Sequence, residues 1–233
     1  MKLDILVFGA HPDDVELGCS GTIIKHVKNG FNIGIIDLTQ GELGTRGSAK
    51  TRNKETLNAT KILGVQLREN MKFKDGLFEN NEKNIIKIIK KIRKYKPDIV
   101  LTNAPSDRHP DHERSSKLTI DACFLSGLEK INTNQKIWRP KHIYHYIQFN
   151  NLIPDFVLDI TKEMEEKMKS ILCYKTQFYN PNSKETETII SSKDFLESIK
   201  YRAQDLGRQS DCKYAEGFIA NQNLKVNYLT DLI

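Results

Sequence analysis

Short unbroken apolar runs alternate with stretches in which apolar residues recur at helical spacing. Residues 3–9 alternate little and are apolar, as expected of a parallel strand buried on both faces. Val15 to Asn29 is predicted to be a helix, with Leu17, Ile23, Ile24 and Val27 on one side and Gly30 as its stop. Asn32 to Leu38 is the next strand, followed by a glycine-rich loop from Gly41 to Ser48. A second helix runs from Thr51 to Leu63, and a short strand near Asn70–Phe73 leads into the loop Lys74-Asp75-Gly76. Asn81 to Tyr95 is strongly amphipathic, with Ile85, Ile88, Ile89 and Ile92 on its core face, and Lys96-Pro97 closes it. Asp98 to Thr102 is a fourth strand, and residues from His112 to Leu125 form a fourth helix.

This β-α rhythm predicts an α/β fold: a Rossmann-like, doubly wound, mainly parallel sheet with helices on both faces. The last part is less regular. Strands are expected at 141–149 and Phe156–Leu158, and helices at Lys162–Tyr174 and Lys193–Leu206, with a polar loop from Asn180 to Ser192. No repeat or linker marks a boundary, so one domain over 1–233 is expected, with a regular core over 1–126 and a completing part over 127–233.

Composition narrows the class. The 233 residues suffice for a sizeable core, and no apolar run nears the roughly 20 residues that span a bilayer. The N-terminus enters a strand pattern directly and lacks the form of a signal peptide, which predicts a cytoplasmic enzyme with no membrane partner. Cys19, Cys123, Cys173 and Cys212 are scattered without a CxxC pair and read as ordinary reduced residues. The net charge of +6 resides mostly in lysine-rich amphipathic stretches such as Lys83 to Lys96. A solvated surface therefore explains it better than a nucleic-acid partner.

The chemistry lies in two segments directly behind predicted strands. Ala10-His11-Pro12-Asp13-Asp14 follows the first strand, and Asp107-Arg108-His109-Pro110-Asp111-His112 follows the fourth. In open α/β sheets, ligands bind outside the carboxyl ends of the strands. A catalytic zinc takes three protein ligands and keeps one position open. His11 and Asp14 can approach one ion from a turn entering a helix, with His112 as the third ligand. Pro110 holds His109 extended beside the metal, and Asp13 sits beside the attacking water. The plainer reading is that Asp13, Asp14 and Asp111 cap or complement helix N-termini. Two such segments in one sheet favour the metal.

The Ala-His-Pro-Asp-Asp and His-Pro-Asp-His pair resembles the LmbE-like or PIG-L superfamily of zinc-dependent N-deacetylases acting on N-acetylglucosamine derivatives. The resemblance extends to the Asp37-Leu38-Thr39 strand end with its Gly-Glu loop, to Arg52, to Asp107-Arg108, and to Ala215-Glu216-Gly217-Phe218. It implies His11, Asp14 and His112 as ligands of Zn2+, or of Fe2+, and Asp13 as the general base. It also implies that His109 stabilises the oxyanion or protonates the amine, with Asp111 orienting and charging its imidazole. Arg52, Arg108 and Glu42 correspond to the sugar site. A homo-oligomer and a small GlcNAc-type substrate are implied as partners. The branch most similar in wording deacetylates N-acetylglucosaminyl malate in bacillithiol biosynthesis, and Arg46, Arg52 and Arg108 suit such an anionic aglycone. Relatives often offer a mobile Tyr where this chain aligns Phe195, which has no hydroxyl.

Other classes fit less well. A metal-dependent phosphoesterase would need a second ligand set for a two-metal site. A dinucleotide oxidoreductase needs glycines where the first turn has His11, Pro12, Asp13 and Asp14.

Overall fold

Alternate residues of the first strand face two different cores, which is what a sheet covered on both sides requires. In the computed structural model, which describes residues 1–232, strand β1 is Ile5–Gly9. Leu6 and Phe8 pack with Ile36, Leu38, Val100 and the inward residues Ile88, Ile89, Ile92, Leu118 and Ala122 of two helices. Those helices are α3 (Glu82–Tyr95) and α4 (Pro110–Leu125), packed side by side on one face of the sheet. Ile5 and Val7 instead meet Val15, Cys19, Ile23 and Ile24 of α1 (Asp14–Lys28) and Leu63 of α2 (Ala49–Leu63) on the other face.

The remaining strands are β2 (Ile33–Thr39), β3 (Leu67–Phe73), β4 (Ile99–Asn103), β5 (His142–Tyr146), β6 (Phe156–Asp159) and β7 (Ala215–Ala220). They form one seven-stranded sheet in the order β3-β2-β1-β4-β5-β7-β6. The first five are parallel, while β7 runs antiparallel to both β5 and β6. The doubly wound α/β fold expected from the sequence is therefore the one observed. The strand order reverses between β1 and β4, which pair directly through Ile5–Ile99, Leu6–Val100 and Val7–Leu101. That is the switch point where open α/β sheets leave a crevice, and both motif segments emerge there.

Several elements differ from expectation: the strand expected at 141–149 is His142–Tyr146, and the helix expected at Lys162–Tyr174 is Met164–Ile171. Strand β3 begins at Leu67 rather than near Asn70. The strand β7 was not legible as such, because Glu216 and Gly217 interrupt any apolar alternation. Its ladders to β5 and β6 hold it extended, with Phe218 opposite both Tyr146 and Phe156. The outer layer contains α5 (Met164–Ile171) and α6 (Lys193–Arg208), joined in a third core by Ile160, Met168, Ile171, Phe195 and Ile199. Among the described residues, no helix is long and apolar enough to cross a membrane.

Candidate active site

The turn after β1 is pinned by its neighbours on both sides. The Ala10 N–H donates to Asn103 Oδ1 at the end of β4 (2.9 Å), and the Thr39 N–H at the end of β2 donates to the Ala10 carbonyl (3.0 Å). Asp13 then occupies the N-cap position of α1 with φ 115° and makes no side-chain cap. A left-handed non-glycine residue that caps nothing is strained, and its neighbours must hold it there. Arg52 does so: its Nη1 donates to the Pro12 carbonyl (2.8 Å) and to Asp13 Oδ2 (3.1 Å). Gly41 makes room for that guanidinium. Its φ is +65°, and a Cβ there would lie 3.0 Å from Arg52 Nη1.

Asp14 is fixed by three hydrogen-bond donors and one ion-pair contact. The His11 N–H and Asn103 Nδ2 reach its Oδ2 (2.9 and 3.0 Å), Gln148 Nε2 reaches Oδ1 (2.8 Å), and His112 Nε2 lies 3.2 Å from Oδ1. His11 Nδ1 is 3.5 Å from Asp14 Oδ2, while its Nε2 faces Asp75 Oδ1 (3.1 Å) and Asp111 Oδ2 (3.3 Å). The other nitrogen of His112, Nδ1, lies 3.2 Å from Asp107 Oδ2. Each imidazole thus turns one nitrogen toward Asp14 and has the other backed by a carboxylate. His109 completes the group, its ring centroid 4.5 Å from that of His11 and 5.3 Å from that of His112.

The charges follow from this crowding. Burial pushes Asp13 up to about 7 against the pull of Arg52. Burial likewise opposes ionisation of Asp14, yet the adjacent His112 and His11 hold it well below the usual carboxylate range. His11 is raised well above its ordinary value, and His112 to about 9, because their carboxylate partners outweigh burial. Without a metal the cluster draws protons onto both imidazoles, so its carboxylates call for cationic charge at this point.

That donor set fits a divalent ion. His11, His109 and His112 offer nitrogens within 4.8 Å of one another, and Asp14 touches two of the three. Imidazole with carboxylate suits zinc or iron(II). Ligating histidines characteristically turn their second nitrogen to a carboxylate, and here His11 faces Asp111 and His112 lies beside Asp107.

Three expectations need correction. Asp111 does not orient His109 through its carboxylate. Its Oδ2 accepts from the Gly76 N–H (2.8 Å) and faces His11, and its Oδ1 is bound by Arg114. Only the Asp111 backbone N–H meets His109, donating to Nδ1 at 3.2 Å. Nor is His109 raised: burial and the neighbouring imidazoles push it down to about 4. Its accepting Nδ1 makes Nε2 the protonated nitrogen of the neutral ring. Glu42 binds no cavity. It is exposed and accepts the backbone N–H groups of Asp75 (2.9 Å) and Gln40 (3.1 Å), bracing the loop that carries Asp75.

A cavity of about 550 Å³ opens over the cluster. Asp13, Arg46, Arg52, Arg108, His109, Phe149 and Phe195 are among its walls. Arg108 lies over the Phe149 ring at 4.8 Å, and Phe195 is buried against Phe149 and Phe178 as an apolar wall. Sequence reasoning missed Asp75, Asn103 and Gln148. All three stand at or just past the carboxyl ends of β3, β4 and β5, so the rule that drew attention to His11 would have found them too.

Comparison with known proteins gives the same picture. A family model described as PIG-L: GlcNAc-PI de-N-acetylase matches residues 6–123. Diacetylchitobiose deacetylase of Thermococcus kodakarensis is 30% identical over 186 residues, 75% of this chain and 70% of that protein. A probable N-acetyl-alpha-D-glucosaminyl L-malate deacetylase 2 of Bacillus anthracis is 26% identical, covering 75% of this chain and 81% of its own length. A 4-oxalmesaconate hydratase of Pseudomonas putida is 25% identical over 74% of this chain and 73% of its own. Among solved structures, the conserved protein TT1542 of Thermus thermophilus superposes with a TM-score of 0.88 at 31% identity, covering 97% of this chain and 98% of that one. Motifs, fold and family model agree, and the chain belongs to the PIG-L family of GlcNAc-type de-N-acetylases.

Proposed function

We propose that this protein hydrolyses the acetamide of an N-acetylglucosaminide with one bound divalent metal, most simply zinc. The observation that carries this reading is the arrangement of His11 and His112, each facing Asp14 with one nitrogen and a supporting carboxylate with the other. His11, Asp14 and His112 would hold the ion. When bound, it supplies a Lewis acid that polarises the acetamide carbonyl and acidifies water toward a pKa of ~7.

The chain's own residues do the rest. Asp13, held by Arg52 but otherwise short of donors, accepts the proton of the attacking water as oxygen bonds to the carbonyl carbon. The His109 Nε2–H donates to the developing oxyanion, a contribution typically worth about 3–4 kcal/mol. As the C–N bond breaks, Asp13 returns its proton to the departing nitrogen, which leaves as the free amine. Burial of Asp13 disfavours its charged form, which suits a group that must take up a proton and then pass it on.

For the aglycone, an anionic group such as malate is supported by Arg108 in the cavity wall, whereas Arg46 there already pairs with Glu185 (3.6 Å) and Ser183. Arg52 is committed to Asp13 and drops out of that reading. The test compares acetate release from N-acetylglucosaminyl malate, N-acetylglucosaminyl inositol, diacetylchitobiose and free N-acetylglucosamine. A preference for the malate derivative that falls on Arg108→Ala supports the anionic aglycone. Equal efficiency on all four removes it and leaves the deacetylase reading.

A further inference from the structure

We infer that Lys167 and Glu216, buried outside the cavity, splice a break in α1 and thereby position the Asp13-Asp14 turn. The inference rests on the deacetylase reading of that turn. It also gives a role to the Ala215-Glu216-Gly217-Phe218 motif, which the site itself does not use.

The helix α1 is two pieces. Cys19 has φ −147° and ψ 19°, far from helical values, so the first segment, Asp14–Gly18, is set independently of the rest. Gly18, just before the break, lies directly against Tyr146, and a Cβ there would fall 2.1 Å from Tyr146 Cδ2. In an unbroken helix the Gly21 N–H would bond the Leu17 carbonyl. Here Glu216 takes the N–H, with Oε1 accepting from Gly21 (3.0 Å) and Oε2 from Thr22 (2.7 Å). Lys167 takes the carbonyl, its Nζ donating to Leu17 O (2.7 Å) and Glu16 O (3.1 Å). The two side chains close on each other through Lys167 Nζ and Glu216 Oε1 at 2.7 Å.

Both residues are almost fully buried, at 2% and 4% exposure, so removing either leaves the Leu17 carbonyl or the Gly21 and Thr22 N–H groups without their side-chain partner, whereas the Glu16 carbonyl keeps the Ser20 hydroxyl (2.7 Å). The short segment is anchored from its side chains as well. Glu16 accepts from the Tyr174 hydroxyl (3.0 Å) and from Arg68, which also grips Asp37 on β2. Lys167 comes from α5 and Glu216 from β7, so the irregular C-terminal third sets the angle at which Asp13 and Asp14 leave β1. These are positioning residues, since neither touches the cavity.

The experiment uses the full-length chain stripped of metal and then titrated with zinc. Lys167→Met and Glu216→Gln are compared with wild type and with Arg93→Met. Arg93 is a buried control that caps the carbonyls of Ser126, Leu128 and Ile131, away from the site. Zinc affinity, hydrogen exchange of α1 amides, kcat, KM and Tm are measured well below each Tm. The two splice variants are expected to bind zinc about 10- to 100-fold more weakly, the range seen when support for a metal ligand is lost. Their kcat should fall with KM little changed, and amides of residues 14–22 should exchange faster. Arg93→Met should lower Tm alone. If Lys167→Met does not fold, Glu216→Gln decides, since it keeps the size and one acceptor of the native side chain. Wild-type zinc affinity, exchange and kcat in a folded splice variant would overturn the inference. Failure of wild type to bind zinc would instead overturn the reading beneath it.

Discussion

Arg52 Nη1 lies 3.1 Å from Asp13 Oδ2, and the same nitrogen holds the Pro12 carbonyl at 2.8 Å. One guanidinium therefore fixes both the strained backbone and the carboxylate that accepts a proton. A lysine ammonium sits on a shorter, flexible stem and does not reproduce the position of this planar guanidinium nitrogen. Arg52→Lys is expected to lower kcat about 10- to 100-fold while zinc affinity stays within a few-fold, comparable to losses from other displaced supports. Wild-type kcat in that variant would show that Arg52 acts elsewhere.

Asp13→Asn preserves shape and the contact to Arg52 but cannot accept the water's proton. Turnover should fall about 10²- to 10⁴-fold, the usual span for a general base, with metal content unchanged. Steady-state kinetics together with metal analysis separate this from a folding defect. Activity within a few-fold of the parent would remove Asp13 from the reaction.

Asp111→Asn distinguishes two assignments. If its carboxylate supported His109, kcat would suffer and metal binding would not. Because it backs His11 Nε2 at 3.3 Å, the expected effect is zinc affinity weakened about 10- to 100-fold. Calorimetric titration of metal-stripped protein decides between them.

Gly18→Ala tests the packing under the turn. Alanine favours a helix by about 1 kcal/mol over glycine. However, its methyl would lie 2.1 Å from the buried Tyr146 ring, whose hydroxyl donates to the Phe8 carbonyl. Overpacking of this kind costs about 1–3 kcal/mol or more and should win. A Tm lowered by about 2–10 °C is expected in a chain of this size. A raised Tm would mean that the break in α1 relaxes freely.

Much of this was legible in the sequence because β1 to β5 obey local rules. Continuous apolar strands, the amphipathic α3 and its Lys96-Pro97 stop place the sheet, and the strand-end rule places His11, Asp14, His109 and His112 together. What was not legible depends on long-range pairing. Strand β7 has no apolar alternation of its own, and Glu216 belongs inside only because Lys167 and the Gly21 and Thr22 amides meet it there. The reach of a side chain is equally invisible in one dimension. Asp111 adjoins His109 through two residues of chain yet turns its carboxylate to His11, because α4 begins at Pro110 and rotates that side chain away. Glu42 is close in sequence to the cavity loop but is consumed by the backbone of residues 40 and 75.

The most direct measurement is acetate released from N-acetylglucosaminyl substrates by metal-stripped protein, before and after addition of one equivalent of zinc. Little or no acetate is expected from the stripped protein. One equivalent should restore turnover, with free amine and acetate appearing in equal amounts, and His112→Ala should not respond. Acetate release that persists in excess chelator, or none from any N-acetylglucosaminide after zinc loading, would contradict a metal-dependent deacetylase.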